Sequence, residues 1–151
     1  MTQTTLFKES TTETKSTCGN LAQGYAHEPF CVGFLLRWGY QAVQVTGQTS
    51  SDIWLKHEKY ICLLQVKTSG EIKNGMVKGS CCRGRYEKTK YTEDDMDILA
   101  LFYTEKIWPL FFHVTDDDRK HVYADPKDFT EENAIKTFNR AFQKFKDRKC
   151  P

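Results

Sequence analysis

The spacing of apolar residues changes along the chain, and the changes divide it into a helix, a cluster of strands and a second helix. From Asn20 to Trp38, Tyr25, Phe30, Phe34, Leu35 and Trp38 recur at helical spacing, and Gly39 is a natural stop. Pro29 fits best in this reading if the helix begins only a turn before it, where a missing N–H costs little. Alternation then shortens to that of strands at Tyr40–Val45, Asp52–Leu55 and Tyr60–Lys67, with a turn over 46–51. Tyr60 to Leu64 is apolar on both faces, which predicts a central, covered strand. Residues 70–91 form a Gly-, Lys- and Arg-rich excursion, with Asn74-Gly75 placed as a two-residue hairpin turn. Ile98–Tyr103 and Ile107–Val114 read as further strands, and Pro109 assigns the second to a sheet edge or a bulge. Asp116 to Asp118 marks a turn before a short segment around His121, Val122 and Tyr123. A last helix opens at Thr130 and runs to about residue 149, with Ile135, Phe138, Phe142 and Phe145 as its apolar stripe. Helix, clustered strands, helix predicts one α/β domain over residues 1–151, with a mixed central β-sheet flanked by helices and a core of about 20–123.

Composition agrees with a single domain of 151 residues, 39% hydrophobic and 13% aromatic, large enough to fold without staples. The longest uncharged apolar stretch, Pro29 to Leu36, is far short of the ~20 residues a membrane helix needs. The polar N-terminus has no apolar signal core, so the expected location is intracellular, the cytoplasm of a bacterium. Six cysteines include no C-x-x-C pair and are read as reduced thiols. The four histidines lack ligand spacing, which argues against zinc. Trp38, Trp54 and Trp108 are expected in the core, and Glu93, Asp94, Asp95 and Asp97 in a solvated acidic turn.

Net charge is only +2, but it is unevenly placed. Residues 71–90 hold six basic and two acidic groups, and 134–151 hold six and one. Between them, 91–133 hold four and twelve. Two basic blocks flanking an acidic one point to a polyanionic partner. In the first block Lys73, Lys78, Arg83, Arg85, Lys88 and Lys90 suit DNA phosphates, and a two-stranded ribbon there would fit a major groove. Lys136, Arg140 and Lys144 form a second basic face on the last helix.

One constellation carries chemistry. Asp52 starts a short strand, and Gln65 and Lys67, two apart near the end of the next, share a face. If the two strands pair as a hairpin, Asp52 approaches both. Two oxygen donors and one ammonium then meet at one end of a sheet, an arrangement suited to Mg²⁺, which takes oxygen ligands and shares phosphate oxygens. Lysine beside the ion could orient or deprotonate an attacking water and offset transition-state charge. Glu28, on the preceding helix, is a candidate third oxygen group.

These residues stand in an order that resembles the PD-(D/E)XK nucleases: Glu28 on the first helix, Leu35-Leu36-Arg37-Trp38-Gly39-Tyr40 leading into a strand, Ser51-Asp52-Ile53-Trp54-Leu55, then Leu63-Leu64-Gln65-Val66-Lys67-Thr68. The match covers roughly residues 24–103. With Gln in the motif of so small a chain, it is most similar to the group I intron homing endonucleases of that superfamily, found in a cyanobacterial tRNA gene. The resemblance implies a restriction-endonuclease-like core and a site-specific, metal-dependent endodeoxyribonuclease that makes double-strand breaks with Mg²⁺, or Mn²⁺ in its place. It implies Asp52 as central metal ligand, Lys67 as the motif lysine, Glu28 as the helix acid and the Val66 carbonyl as a backbone ligand. It also implies double-stranded DNA as partner, an intronless tRNA gene as target and a homotetramer, a dimer being the minimum for a double-strand cut.

Two departures from the superfamily pattern stand out. Ser51 replaces the proline before Asp52, and Gln65 replaces the usual acid, leaving one negative charge fewer for metal. Two other readings stay open: a Holliday junction resolvase or restriction-type nuclease on the same core, and a DNA-binding module without catalysis.

Overall fold

In a computed structural model the described residues are 17–47, 49–84, 87–115, 117 and 119–150, with side chains from Ala26 onward. The element order is α1 (Thr17–Arg37), β1 (Gln41–Gln44), β2 (Ile53–His57), β3 (Tyr60–Ser69), β4 (Ile72–Lys73), β5 (Met76–Ser80), β6 (Cys82–Arg83), β7 (Thr89–Lys90), β8 (Ile98–Tyr103), β9 (Leu110–His113), β10 (His121–Ala124) and α2 (Glu131–Lys149). The main sheet runs β1-β2-β3-β8-β9. All its neighbours are antiparallel except β3 and β8, so the predicted mixed α/β architecture is present. The parallel pair needs a crossover, and the 70–91 excursion lies within it. That excursion forms the β4–β5 hairpin, which pairs with β10 in a separate three-stranded sheet, and the two-residue strands β6 and β7.

Alternation along β3 and β8 builds two cores, one on each face of the sheet. Cys62, Leu64 and Val66 of β3 with Ile98, Ala100 and Phe102 of β8 pack under Cys31 and Leu35 of α1 and Phe138, Phe142 and Phe145 of α2. Both helices therefore flank the same face. Leu63, Leu99 and Leu101 point the other way, onto Val77 of β5 and Val122 and Ala124 of β10. Gly79 makes that second contact close: a Cβ there would lie 2.8 Å and 2.9 Å from the two methyl carbons of Leu101.

The helix stop at Gly39 forms as predicted. Gly39 has φ +92°, its N–H donates to Leu36 O at 3.0 Å and the Tyr40 N–H reaches back to Leu35 O at 3.0 Å. This pair of bonds closes a helix through a left-handed residue. The Asn74-Gly75 turn also forms, with φ of 52° and 76° and Lys73 opposite Met76. Other expectations need correction. Helix α1 begins at Thr17, so Pro29 lies well inside it. Its ring is exposed, on a side where water can serve the carbonyl that loses its N–H donor. Phe30 (52% exposed) and Ile135 (38%) lie off the core stripes, where Cys31, Ala134 and Ala141 take the buried positions. Trp54 is 41% exposed and not core, because it points to the sheet face that β4, β5 and β10 leave uncovered at β2. Ile61 is exposed on the same side, so the start of β3 is covered on one face only. Strand β9 starts at Leu110, after Pro109, at the sheet edge. Asp97 is fully buried: it accepts from Leu63 N–H at 2.8 Å and pairs with Lys149 at 2.9 Å and with Arg148. A carboxylate that anchors the end of α2 is not part of a solvated turn. Of the 116–118 turn only Asp117 lies within the described residues. None of the described helices is long and apolar enough to cross a membrane.

Candidate active site

The β2–β3 register places the site. Ile53 lies opposite Leu64, and the Asp52 N–H donates to Leu64 O at 2.8 Å, so one step further along the ladder Asp52 faces Gln65. Asp52 Oδ2 accepts a hydrogen bond from the Val66 N–H at 2.8 Å and another from Gln65 Nε2. Gln65 Nε2 also donates to Val66 O at 3.3 Å. The Asp52 carboxylate and the Val66 carbonyl thus converge on one donor. Oxygens that share a donor in this way also suit a hard cation, which takes carboxylate and carbonyl oxygens alike. As oriented, Gln65 is a donor to both oxygens and not itself a third oxygen facing the same point.

Glu28 comes from α1, and its Oε2 accepts from Gln44 Nε2 of β1 at 2.8 Å. Burial, then the negative charge of Asp52, raise the Glu28 pKa above the usual carboxylate value. Burial also raises Asp52, against the Val66 N–H and the Lys67 ammonium, which lower it. Burial is the first cause of both shifts, and the two carboxylates lie close enough for the Asp52 charge to act on Glu28. Two carboxylates and one backbone carbonyl are hard oxygen donors, which would suit Mg²⁺ rather than zinc. Among the described residues no three His, Cys, Asp or Glu side chains gather as a ligand group, so any metal here must draw on the amide or the backbone.

Lys67 stands on the same face of β3 as Gln65. Burial lowers its pKa, while the Asp52 charge works in the opposite direction. Its Nζ lies 5.3 Å from the ring centre of Tyr91, whose own pKa burial pushes up to about 12. The aromatic wall and the Asp52 carboxylate give this half-buried ammonium a defined place.

The proposed DNA-contacting residues divide. Lys73 and Lys88 are exposed. Lys78 pairs with Glu71 at 3.2 Å, and Arg83 lies 3.5 Å from Asp95. Lys90 Nζ donates to the carbonyls of Tyr91 and Thr115, which ties it to its own fold. Arg85 lies outside the described residues. The β4–β5 hairpin is joined to β10 and does not stand as a free two-stranded ribbon. The Lys136, Arg140 and Lys144 face of α2 is exposed, and a cavity of about 220 Å³ between α2 and β9 holds none of the four catalytic candidates. Sequence reasoning missed Gln44, Tyr91 and His121. The first two are set by pairing and packing across strands and carry no spacing signal. His121 lines a cavity with Lys67, although 54 positions separate them.

No family model matches the chain, and no curated protein does. Among solved structures it is similar to a bacterial homing endonuclease, I-Ssp6803I, at 18% identity with a TM-score of 0.65, over 90% of this chain and 99% of that one. A Holliday junction resolvase of Archaeoglobus fulgidus, Hjc, aligns at 17% identity with a TM-score of 0.45, over 71% of this chain and 87% of that one. The mixed sheet with helices on one face is similar in fold to that bacterial homing endonuclease.

Proposed function

We propose that this protein is a metal-dependent DNA endonuclease of the PD-(D/E)XK kind, and within it a site-specific homing endonuclease that makes double-strand breaks. The observation that carries the reading is the meeting of Asp52, the Val66 carbonyl, Glu28 and Lys67 at one end of the β2–β3 pair, on a fold shared with a homing endonuclease. Asp52, Glu28 and the Val66 carbonyl would hold Mg²⁺, with Gln65 fixing two of those oxygens by hydrogen bonds. Bound there, the ion supplies Lewis acidity to a phosphate oxygen and to a water.

The chain's own residues account for the rest. Lys67 donates an N–H to the attacking water and offsets charge as it builds on the phosphate. Water adds to phosphorus in line and gives up a proton to solvent as the new P–O bond forms; the P–O bond to the leaving oxygen breaks, and that oxygen takes a proton from solvent. The basic block from Lys73 to Lys88 supplies phosphate contacts. One such site cuts one strand, so a double-strand break calls for at least two copies, and the homing resemblance extends this to four.

Cleavage mapping on a library of duplex DNA sites with Mg²⁺ or Mn²⁺ tests the reading. Cuts confined to one sequence, on both strands, are expected. Preference for a four-way junction over any linear duplex would move the assignment to a resolvase. DNA binding without cutting in either ion would leave a binding module.

A further inference from the structure

Lys67 borders more than the reaction site. On its other side it lines a cavity of about 190 Å³ together with Lys78, Lys88, His121, Ser69 and Ser80. At ~30 Å³ per water, that is room for about six waters. Most of the wall comes from β3, β5 and β10, with Glu71 and Lys88 added from the connections beside them. His121 of β10 lies opposite Ser80 of β5, and Tyr123 opposite Lys78, so Lys78, Ser80 and His121 share the face of the small sheet turned away from its core. Ser69 at the end of β3 donates its hydroxyl to Lys78 O at 2.6 Å and accepts from the Glu71 N–H at 3.2 Å, which ties β3 to β5 at the cavity's edge. Gly79 lets β5 lie against Leu101, the β8 partner of Lys67, and so brings Lys78 and Ser80 alongside the catalytic strand.

The charge of the lining is specific. Three ammonium groups face one carboxylate, Glu71, which is exposed and paired with Lys78. Among the described residues the lining is polar and charged, with the imidazole of His121 as its one ring. Burial, then Lys78 and Lys88, lower the His121 pKa, and Glu71 works the other way, so cations outnumber the one anion that acts on this imidazole. A small, polar, net-positive cavity lined by three ammonium groups, two serine hydroxyls and an imidazole fits a tetrahedral oxyanion.

We propose that this cavity is the subsite for a DNA backbone phosphate next to the scissile one, held by Lys78, Lys88 and His121, with Lys67 standing between the two phosphates. The proposal rests on the nuclease reading above and deepens it: the neighbouring phosphate positions the strand, so that the scissile phosphate meets Asp52 and Lys67 in register. His121 is then a positioning residue that touches the backbone and not the reacting atoms.

Two measurements decide it. In the first, inorganic phosphate is titrated into the metal-free full chain while the ring resonances of its histidines are followed by NMR. A saturable shift at His121, absent at His113 and abolished by Lys78→Ala with Lys88→Ala, is expected. Equal shifts at His113 and His121, or none, overturn the subsite. In the second, cleavage of plasmid DNA is compared for wild type, Lys88→Ala and His121→Ala. A rise in KM of about tenfold with kcat within about twofold is expected, and for Lys88→Ala a salt slope of binding smaller by about one. Unchanged KM and slope in folded variants of an active enzyme overturn the proposal and leave the nuclease reading standing. A wild type that cuts no DNA removes the nuclease reading instead, and the phosphate titration still decides whether the cavity holds the anion.

Discussion

Gln65 is where this chain differs most from the pattern its motifs resemble, and its surroundings give a reason. Its amide donates to Asp52 Oδ2 and to Val66 O, the two oxygens that a cation would need held in place. A glutamate at this position would instead set a second carboxylate against Asp52. Gln65→Glu is therefore expected to melt at lower temperature than wild type in EDTA, by an amount matching a lost hydrogen bond, about 0.5–1.5 kcal/mol, plus repulsion. Mg²⁺ should restore more stability to the variant than to wild type, since a cation that binds only the folded state stabilises it. Equal melting in EDTA, or equal gains with Mg²⁺, would show that the position does not face the cation site.

His27 makes a second residue-scale prediction, independent of activity. It is buried, stacks on Phe102 with ring centres 4.4 Å apart, and bonds through Nδ1 to Thr68 Oγ1 at 2.7 Å. Burial lowers its pKa. Below the unfolded histidine value of about 6.5 the unfolded chain thus binds more protons than the folded one, and stability falls as pH falls through that range. Urea midpoints measured from pH 7.5 to 5.5 should decline, and His27→Gln should remove part of the decline. His113 and His121 have lowered pKa values too and keep the remainder. An undiminished slope in His27→Gln would place the titration elsewhere.

At the scale of elements, local signals were readable and contacts between distant segments were not. Gly39, Asn74-Gly75 and Thr130 mark real boundaries because a left-handed residue or a helix cap is decided within a few positions. The hairpin between β2 and β3, and with it the meeting of Asp52 and Gln65, followed from strand alternation across a short turn. The partner of the β4–β5 hairpin was out of reach: β10 lies more than 40 positions away, and nothing in alternation says which sheet a short strand joins. Asp97 was misread for a similar reason, since its cations come from the far end of α2. The same long-range packing leaves little room at Gly79. Gly79→Ala would push a methyl into Leu101 and Val122, both buried, and is expected to destabilise the fold by about 1–3 kcal/mol in urea unfolding. A loss within a few tenths would mean that β5 does not press on β8 as described.

For the molecule as a whole, the architecture was legible, and Asp52, Gln65 and Lys67 lie near one another as the strand order implied, because they belong to two adjacent strands. The division of labour among the basic residues was not. Lys90 and Arg83 count as charges in the sequence, yet one is engaged by carbonyls of its own fold and the other lies beside Asp95. Lys78 and Lys88 gather with His121 beside Lys67. A net charge of +2 thus conceals a small positive cavity next to the candidate reaction site, and the charge that matters for a polyanion is local.

The central claim is that Asp52 and Lys67 make this chain a metal-dependent DNA-cutting enzyme. Cleavage of supercoiled plasmid carrying the mapped site, with Mg²⁺ and with EDTA, tests it for wild type, Asp52→Asn and Lys67→Ala. Cutting by wild type with Mg²⁺ alone is expected, together with loss of about 10²–10⁴-fold in rate in each variant while DNA binding persists. Full-rate cutting by either variant, or undiminished cutting by wild type in EDTA, would contradict the account.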